Sequence, residues 1–234
     1  MMIYTNGCSH TRGNAVCLDN YNDAWPYLLA KHFDCQLDNQ STSGLSNDAI
    51  VERTMEVILG SAIPPDKVYI QFTLLDRFDT ASVTHLPRSQ VEAENYENSH
   101  TRFGSKYNNF YRDMFPRTKD IDTKLSHKLL NQMYLMQCFL IEHGIPDYRF
   151  MVWSAVDVNY PTYKHIDKTK VIFNVFNRLL TDFEVCDTPD PNRGGMPDGH
   201  FGSDAHRQIA DWLINKYHVD NTDEKDYTFI DHLY

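Results

Sequence analysis

Strand-like and helix-like segments alternate along most of this chain, and that order restricts the fold more than any single motif does. Met2-Ile3-Tyr4-Thr5 is a short apolar strand candidate, and residues 23–33 then place Ala24, Tyr27, Leu28, Leu29, His32 and Phe33 at helical spacing. A short apolar piece at 35–37 and a polar turn from Gln40 to Asn47 lead into a helix over 48–59, with Gly60 as its stop. Pro64-Pro65 breaks the chain before Lys67-Val68-Tyr69-Ile70-Gln71-Phe72-Thr73, a strand for a sheet interior. Leu125, Leu129, Leu130, Met133, Met136, Phe139 and Leu140 predict a helix over 122–143, closed by Gly144 and Pro146. Residues 148–153 read as the next strand, 167–180 as the next helix and 183–186 as a last short strand. A final helix carries Ile209, Ala210, Trp212, Leu213 and Ile214, with Ser203 as its cap.

Strands separated by helices imply a mostly parallel sheet covered on both faces, a three-layer α/β/α fold of the flavodoxin-like kind with about five strands. At 234 residues the chain suits one domain over 1–234. The polar stretch at 76–120 is expected to be an insertion or lid, whose aromatics Tyr96, Phe103, Tyr107, Phe110 and Tyr111 pack a small core of their own. Residues 219–234 form a charged and aromatic tail. Ligands of such sheets sit beyond the carboxyl ends of the strands. Ser9, Gly44, Thr73 and Arg77 each fall at or just past a strand end, so all four are expected at that edge.

The formal charge of −10, without a Lys/Arg cluster, argues against nucleic acid and anionic membranes as partners. No stretch has the length of a membrane-spanning helix, and the N-terminus lacks a secretory signal. Five scattered cysteines, Cys8, Cys17, Cys35, Cys138 and Cys186, without a C-x-x-C, read as free thiols of a reducing compartment. The expected location is therefore cytoplasmic.

The chemistry concentrates in two short segments. Gly7-Cys8-Ser9-His10-Thr11 follows the first strand, and Asp198-Gly199-His200 lies far downstream. A serine hydroxyl attacks a carbonyl only with an imidazole in hydrogen-bond reach and a carboxylate to orient that imidazole. These residues resemble the blocks of the SGNH (GDSL-like) hydrolases. Gly7-Cys8-Ser9-His10-Thr11 is similar to the first block, G-D-S-x-T, with Cys in place of Asp. Gly44 in Ser43-Gly44-Leu45-Ser46-Asn47 resembles the glycine of the second, and Asp198-Gly199-His200 resembles the last, D-x-x-H, one residue shorter. His206 falls where that family often has an aromatic or His.

The resemblance implies a serine esterase with Ser9 as nucleophile, His200 as base and Asp198 as its orienting acid. It implies oxyanion donors at Ser9 and Gly44, and neither cofactor nor metal. The third block of the family carries an asparagine for the oxyanion; here it reads Gln71-Phe72-Thr73-Leu74-Leu75-Asp76-Arg77, so Gln71, Thr73 or a backbone N–H takes that place. Arg77 would bind a carboxylate or sulfate of the substrate, or serve as a surface ion-pair residue. The expected substrate, by resemblance, is a carbohydrate O-acetyl or other small acyl ester.

Other readings stay open on the residues alone. Ser9 could be an ordinary helix cap, and Cys8 a thiol nucleophile or a small buried residue of a tight turn. His10 is expected to be a solvent-facing neighbour. His200, Asp204, His206 and Asp198 could hold zinc or manganese, although their spacing matches no standard motif. A last alternative is an SGNH-like binding or structural module with a degraded site, for instance a viral accessory or particle protein.

Overall fold

The computed structural model describes residues 1–13, 18, 21–73, 75, 119–186, 189–190, 196–197 and 199–217. Within them lies a five-stranded, all-parallel sheet. Its strands are β1 (Met2–Asn6), β2 (Gln36–Asn39), β3 (Lys67–Phe72), β4 (Tyr148–Val152) and β5 (Val171–Ile172), in spatial order β2-β1-β3-β4-β5. That is the flavodoxin-like order, with β1 beside β3, and the connections crossing there leave a crevice at the carboxyl edge.

Successive residues of each strand feed opposite cores, as the two-residue period of a strand requires. Tyr4, Val68, Ile70, Phe72, Phe150 and Val171 pack beneath α3 (Asn47–Gly60) and α4 (Lys119–Glu142). Ile3, Tyr69, Met151 and Ile172 pack beneath α2 (Trp25–His32), α5 (Val175–Asp182) and α6 (Ser203–Ile214). A one-turn helix, α1 (Ser9–Arg12), follows β1 directly.

Local chemistry explains the helix ends. Ser46 caps α3, its Oγ accepting the Ala49 N–H at 3.2 Å. The long helix α4 stops in a Schellman turn: Gly144 takes a positive φ of 74°, its N–H reaches Ile141 O, and the Ile145 N–H reaches Leu140 O. Ser203, expected as the cap of the last helix, is instead its first residue, with Gly202 before it.

One element departs from expectation. The segment read as a helix over 167–180 splits into a 3-10 turn (Lys168–Lys170), the strand β5 and the helix α5. Val171 and Ile172 are both fully buried against β4, and Asn174 turns the chain at φ 54°, a left-handed value that Asn tolerates better than most residues. The fifth strand therefore lies at 171–172. Residues near 183–186 instead contribute a single antiparallel bridge, Val185 to Phe201.

No helix among the described residues is long and apolar enough to cross a membrane. Cys186 is disulfide-bonded, whereas Cys8, Cys35 and Cys138 are free. The reading of five free thiols is thus corrected, and the argument for a reducing compartment loses its basis. The insertion at 76–118 and the tail at 219–234 lie outside the described residues, while Lys119 and Asp120 already belong to α4.

Candidate active site

The turn bearing Ser9 is built by close packing at the carboxyl end of β1. Cys8 occupies the cap position of α1 and Ser9 opens the helix, so the Ser9 N–H has no acceptor within the helix. Asn6 holds the strand end from below: its Nδ2 donates to Ile50 O and to Thr54 Oγ1, and its Oδ1 accepts the Gly7 N–H at 2.8 Å. Gly7 admits no side chain. A Cβ there would stand 2.2 Å from Thr11 Oγ1 and 3.0 Å from Gln71 Cβ.

Gln71, fully buried on β3, supports this turn. Its Oε1 accepts from the Thr11 hydroxyl, and its Nε2 donates toward Cys8 Sγ at 3.4 Å. Both ends of the amide are engaged under the turn, which takes Gln71 out of the set that could face an oxyanion. Cys8 is wholly buried as well, as a small residue of a tight turn would be.

His200 arrives at the same edge from the opposite end of the chain. The Cys186 N–H donates to His200 O at 2.7 Å, the Gly199 N–H donates to Cys186 O at 2.9 Å, and Gly199 takes φ 70°. This short ladder presents the imidazole to Ser9: His200 Nε2 and Ser9 Oγ are 2.7 Å apart across 191 positions of sequence. Asp198 and Arg77 lie outside the described residues.

The second loop is tied to the first. The Thr42 N–H donates to Gly7 O at 3.2 Å, and Arg53 donates to Thr42 Oγ1 at 3.1 Å, so the loop carrying Gly44 is held against the nucleophile turn. Gly44 itself is exposed at φ 80°, a conformation that suits glycine. At the end of β3, Asn47 grips the backbone of Thr73 from both sides: Oδ1 accepts its N–H at 2.8 Å and Nδ2 donates to its C=O at 3.3 Å. The Thr73 N–H is therefore spent. Its Oγ1 is fully buried and has no hydrogen-bond partner, an uncommon state for a buried hydroxyl.

Two further histidines lie on the same side of the fold as His200, and one of them packs against it. His10, expected at the surface, is only 8% exposed and packs with ring centroids 4.4 Å from His200, 4.6 Å from Trp153 and 6.2 Å from Phe201. His206 lies within α6, fully buried, with Nδ1 accepting the Trp25 N–H at 3.2 Å. Burial, and next the charge of His200, push its pKa from the ordinary 6.5 down to about 4. Asp204, another residue of the conceivable metal set, turns outward to an exposed ion pair with Arg207. Among the described residues, no three such donors converge.

The depressed His206 has a measurable consequence. Between pH 6.5 and 4 the unfolded chain takes up a proton that the folded chain refuses, so stability is full above about pH 6.5 and is lost as pH falls toward 4. The loss attributable to this one group is about 3 kcal/mol at most. Urea unfolding of the wild type and His206→Gln, whose amide retains an acceptor for Trp25, should show a flatter acid limb in the variant. An unchanged slope would assign the acid sensitivity elsewhere.

Sequence reading missed Asn47 and the burial of His10. Asn47 stood in the second-block segment, and only its position at the head of α3, facing the end of β3, hinted at a bridging role. α1 is a single turn, too short for a hydrophobic period to reveal which way His10 points.

No family model and no curated protein matches the sequence. Solved structures do match in fold. LAE5, described as an alpha/beta hydrolase enzyme from the metagenome of Lake Arreo, Spain, superposes with a TM-score of 0.50 at 13% identity, over 92% of this chain and 94% of its own. The psychrotrophic esterase EstA from Pseudoalteromonas sp. superposes with a TM-score of 0.50 at 12% identity, over 92% of this chain and 95% of its own. At such identities the likeness is one of architecture: the chain folds as these hydrolases do, in the arrangement that its SGNH-like motifs imply.

Proposed function

We propose that this protein is a serine hydrolase of the SGNH type that cleaves a small acyl ester. The observation that carries the reading is the 2.7 Å contact between Ser9 Oγ and His200 Nε2 at the carboxyl edge of the sheet. That distance lets the imidazole accept the hydroxyl proton as Ser9 attacks the ester carbonyl. The attack forms a tetrahedral oxyanion. Collapse breaks the ester bond, His200 returns the proton to the leaving alcohol, and water, deprotonated by the same imidazole, releases the acid from Ser9.

Asp198, two residues before His200, is assigned the task of holding the ring's other nitrogen. The oxyanion is assigned to the N–H groups of Ser9 and Gly44 and to the Thr73 hydroxyl, which buried orphan status leaves available. An acetyl or similarly short acyl group, carried by a carbohydrate, is the substrate we favour, with Arg77 reading an anionic substituent. His10, itself packed on Trp153 and Phe201, lies against one side of the imidazole, which supports a short acyl chain there.

A fluorophosphonate probe and a series of p-nitrophenyl esters test the reading. Wild type should be labelled once, at Ser9, and should hydrolyse the acetate faster than the octanoate, while Ser9→Ala should show neither labelling nor turnover. Absence of labelling in folded wild-type protein would sink the hydrolase and leave the binding-module alternative.

A further inference from the structure

We infer that His10 is a positioning residue for the base: Trp153, His10 and His200 form a stack that carries the rigidity of the sheet to an imidazole mounted on a loop. The inference rests on the reading that Ser9 and His200 act together, and it concerns a residue that the triad chemistry does not use.

Each step of the stack is anchored more firmly than the next. Trp153 continues β4, its N–H donating to Phe72 O at 3.1 Å and its C=O accepting the Phe176 N–H at 3.4 Å, so it moves only with the sheet. It is 2% exposed and packs on Phe176 and Phe201 at centroid distances of 5.8 and 6.3 Å. His10 leans on it with ring centroids 4.6 Å apart at 42°, and His200 leans on His10 at 4.4 Å and 47°. Phe201, 1% exposed, closes the side of the group.

His200 needs such support. Its carbonyl accepts one backbone bond, from the Cys186 N–H, with a second from the neighbouring Gly199 N–H to Cys186 O, and hydrogen bonds at the edge of the ring, such as that to Ser9, restrain the atoms in its plane better than the tilt of the plane. A flat neighbour in van der Waals contact restricts that tilt. Misplacing a catalytic group by about 1 Å costs on the order of 100-fold in rate, so the orientation of the imidazole face is worth protecting. Because His10 is adjacent to Ser9 in the chain, one rigid turn sets both the nucleophile and the surface against which its base rests.

A flat ring, and not an imidazole as such, is what this role demands. The test therefore compares His10→Phe, which keeps a ring, with His10→Leu, which fills the space without one, in the full chain. Two readings are taken: the second-order rate of fluorophosphonate labelling at Ser9, and the NMR shift of the His200 Hε1 proton, which the ring currents of the stack displace. His10→Leu should lower the labelling rate about 10- to 100-fold and move the Hε1 resonance toward its random-coil position, with kcat for p-nitrophenyl acetate falling and KM little changed. His10→Phe should restore labelling to within about 3-fold of wild type.

Wild-type labelling in His10→Leu, or equal loss in both variants, would overturn the inference. If wild type itself is not labelled, the hydrolase reading fails, and the Hε1 shift alone then decides: an unmoved resonance in His10→Leu refutes the stack, and a moved one that Phe restores upholds it.

Discussion

Replacing His200 with alanine should lower kcat on p-nitrophenyl acetate by roughly 10⁴- to 10⁶-fold, with KM little changed. The size of the effect follows from the role proposed for the imidazole. A serine hydroxyl is scarcely ionised at neutral pH, so without an acceptor at 2.7 Å the attack on the ester, and the later attack of water on the acyl group, must proceed from a protonated oxygen. Both penalties fall in the transition state, which is why the ground-state KM should be spared. The fold should survive, because the loop is held by backbone bonds from residues 199 and 200 to Cys186 that a side-chain truncation leaves in place. Steady-state kinetics with urea unfolding as a control separates the two. A loss below 10-fold would mean that another group serves as base.

The second large effect is expected at Thr73, where activity and stability should move in opposite directions. Thr73→Val replaces a buried hydroxyl that has no partner with a methyl group of nearly the same volume. Removing an unpaired buried polar atom relieves a desolvation cost of about 1–3 kcal/mol, so the variant should be as stable as wild type or more so. If the hydroxyl donates to the oxyanion, the same change should lower kcat about 100- to 1000-fold. A merely structural Thr73 would give the stability gain alone, with turnover intact, and that outcome would remove it from the oxyanion site. Asn47 sharpens the test, since it already occupies the Thr73 N–H and leaves only the side chain to donate.

The sheet was legible in the sequence wherever an element was long enough to show its period. β3 and α4 carry six and twenty-four residues, and both were placed to within a few positions. β5 has two residues, too few for alternation to be seen, and Val171, Ile172, Val175, Phe176 and Leu179 together also satisfy a helical spacing. Only the pairing of Val171 and Ile172 with Phe150 and Met151 resolves that ambiguity, and pairing is a property of the folded chain.

At the candidate site, Ser9 and His200 were identified from motif order, and their juxtaposition was then found in the structure. What could not be read was the direction of side chains in one-turn and loop segments. Gln71 illustrates the difficulty. A buried amide at the end of a strand suits an oxyanion donor or a brace equally well, and only the Thr11 hydroxyl and Cys8 Sγ on its two ends decide for the brace.

The separation of 191 positions between Ser9 and His200 also sets a schedule. On the ribosome the turn bearing Ser9 emerges before four of the five strands, whereas His200 is made only after all five have been synthesised. On the proposed reading, a chain that stops short of His200 carries Ser9 without its base, and reactivity toward esters awaits the segment that brings residue 200 to the sheet edge. Ester cleavage would in that sense report completion of folding, a property that proteins with neighbouring catalytic residues do not share.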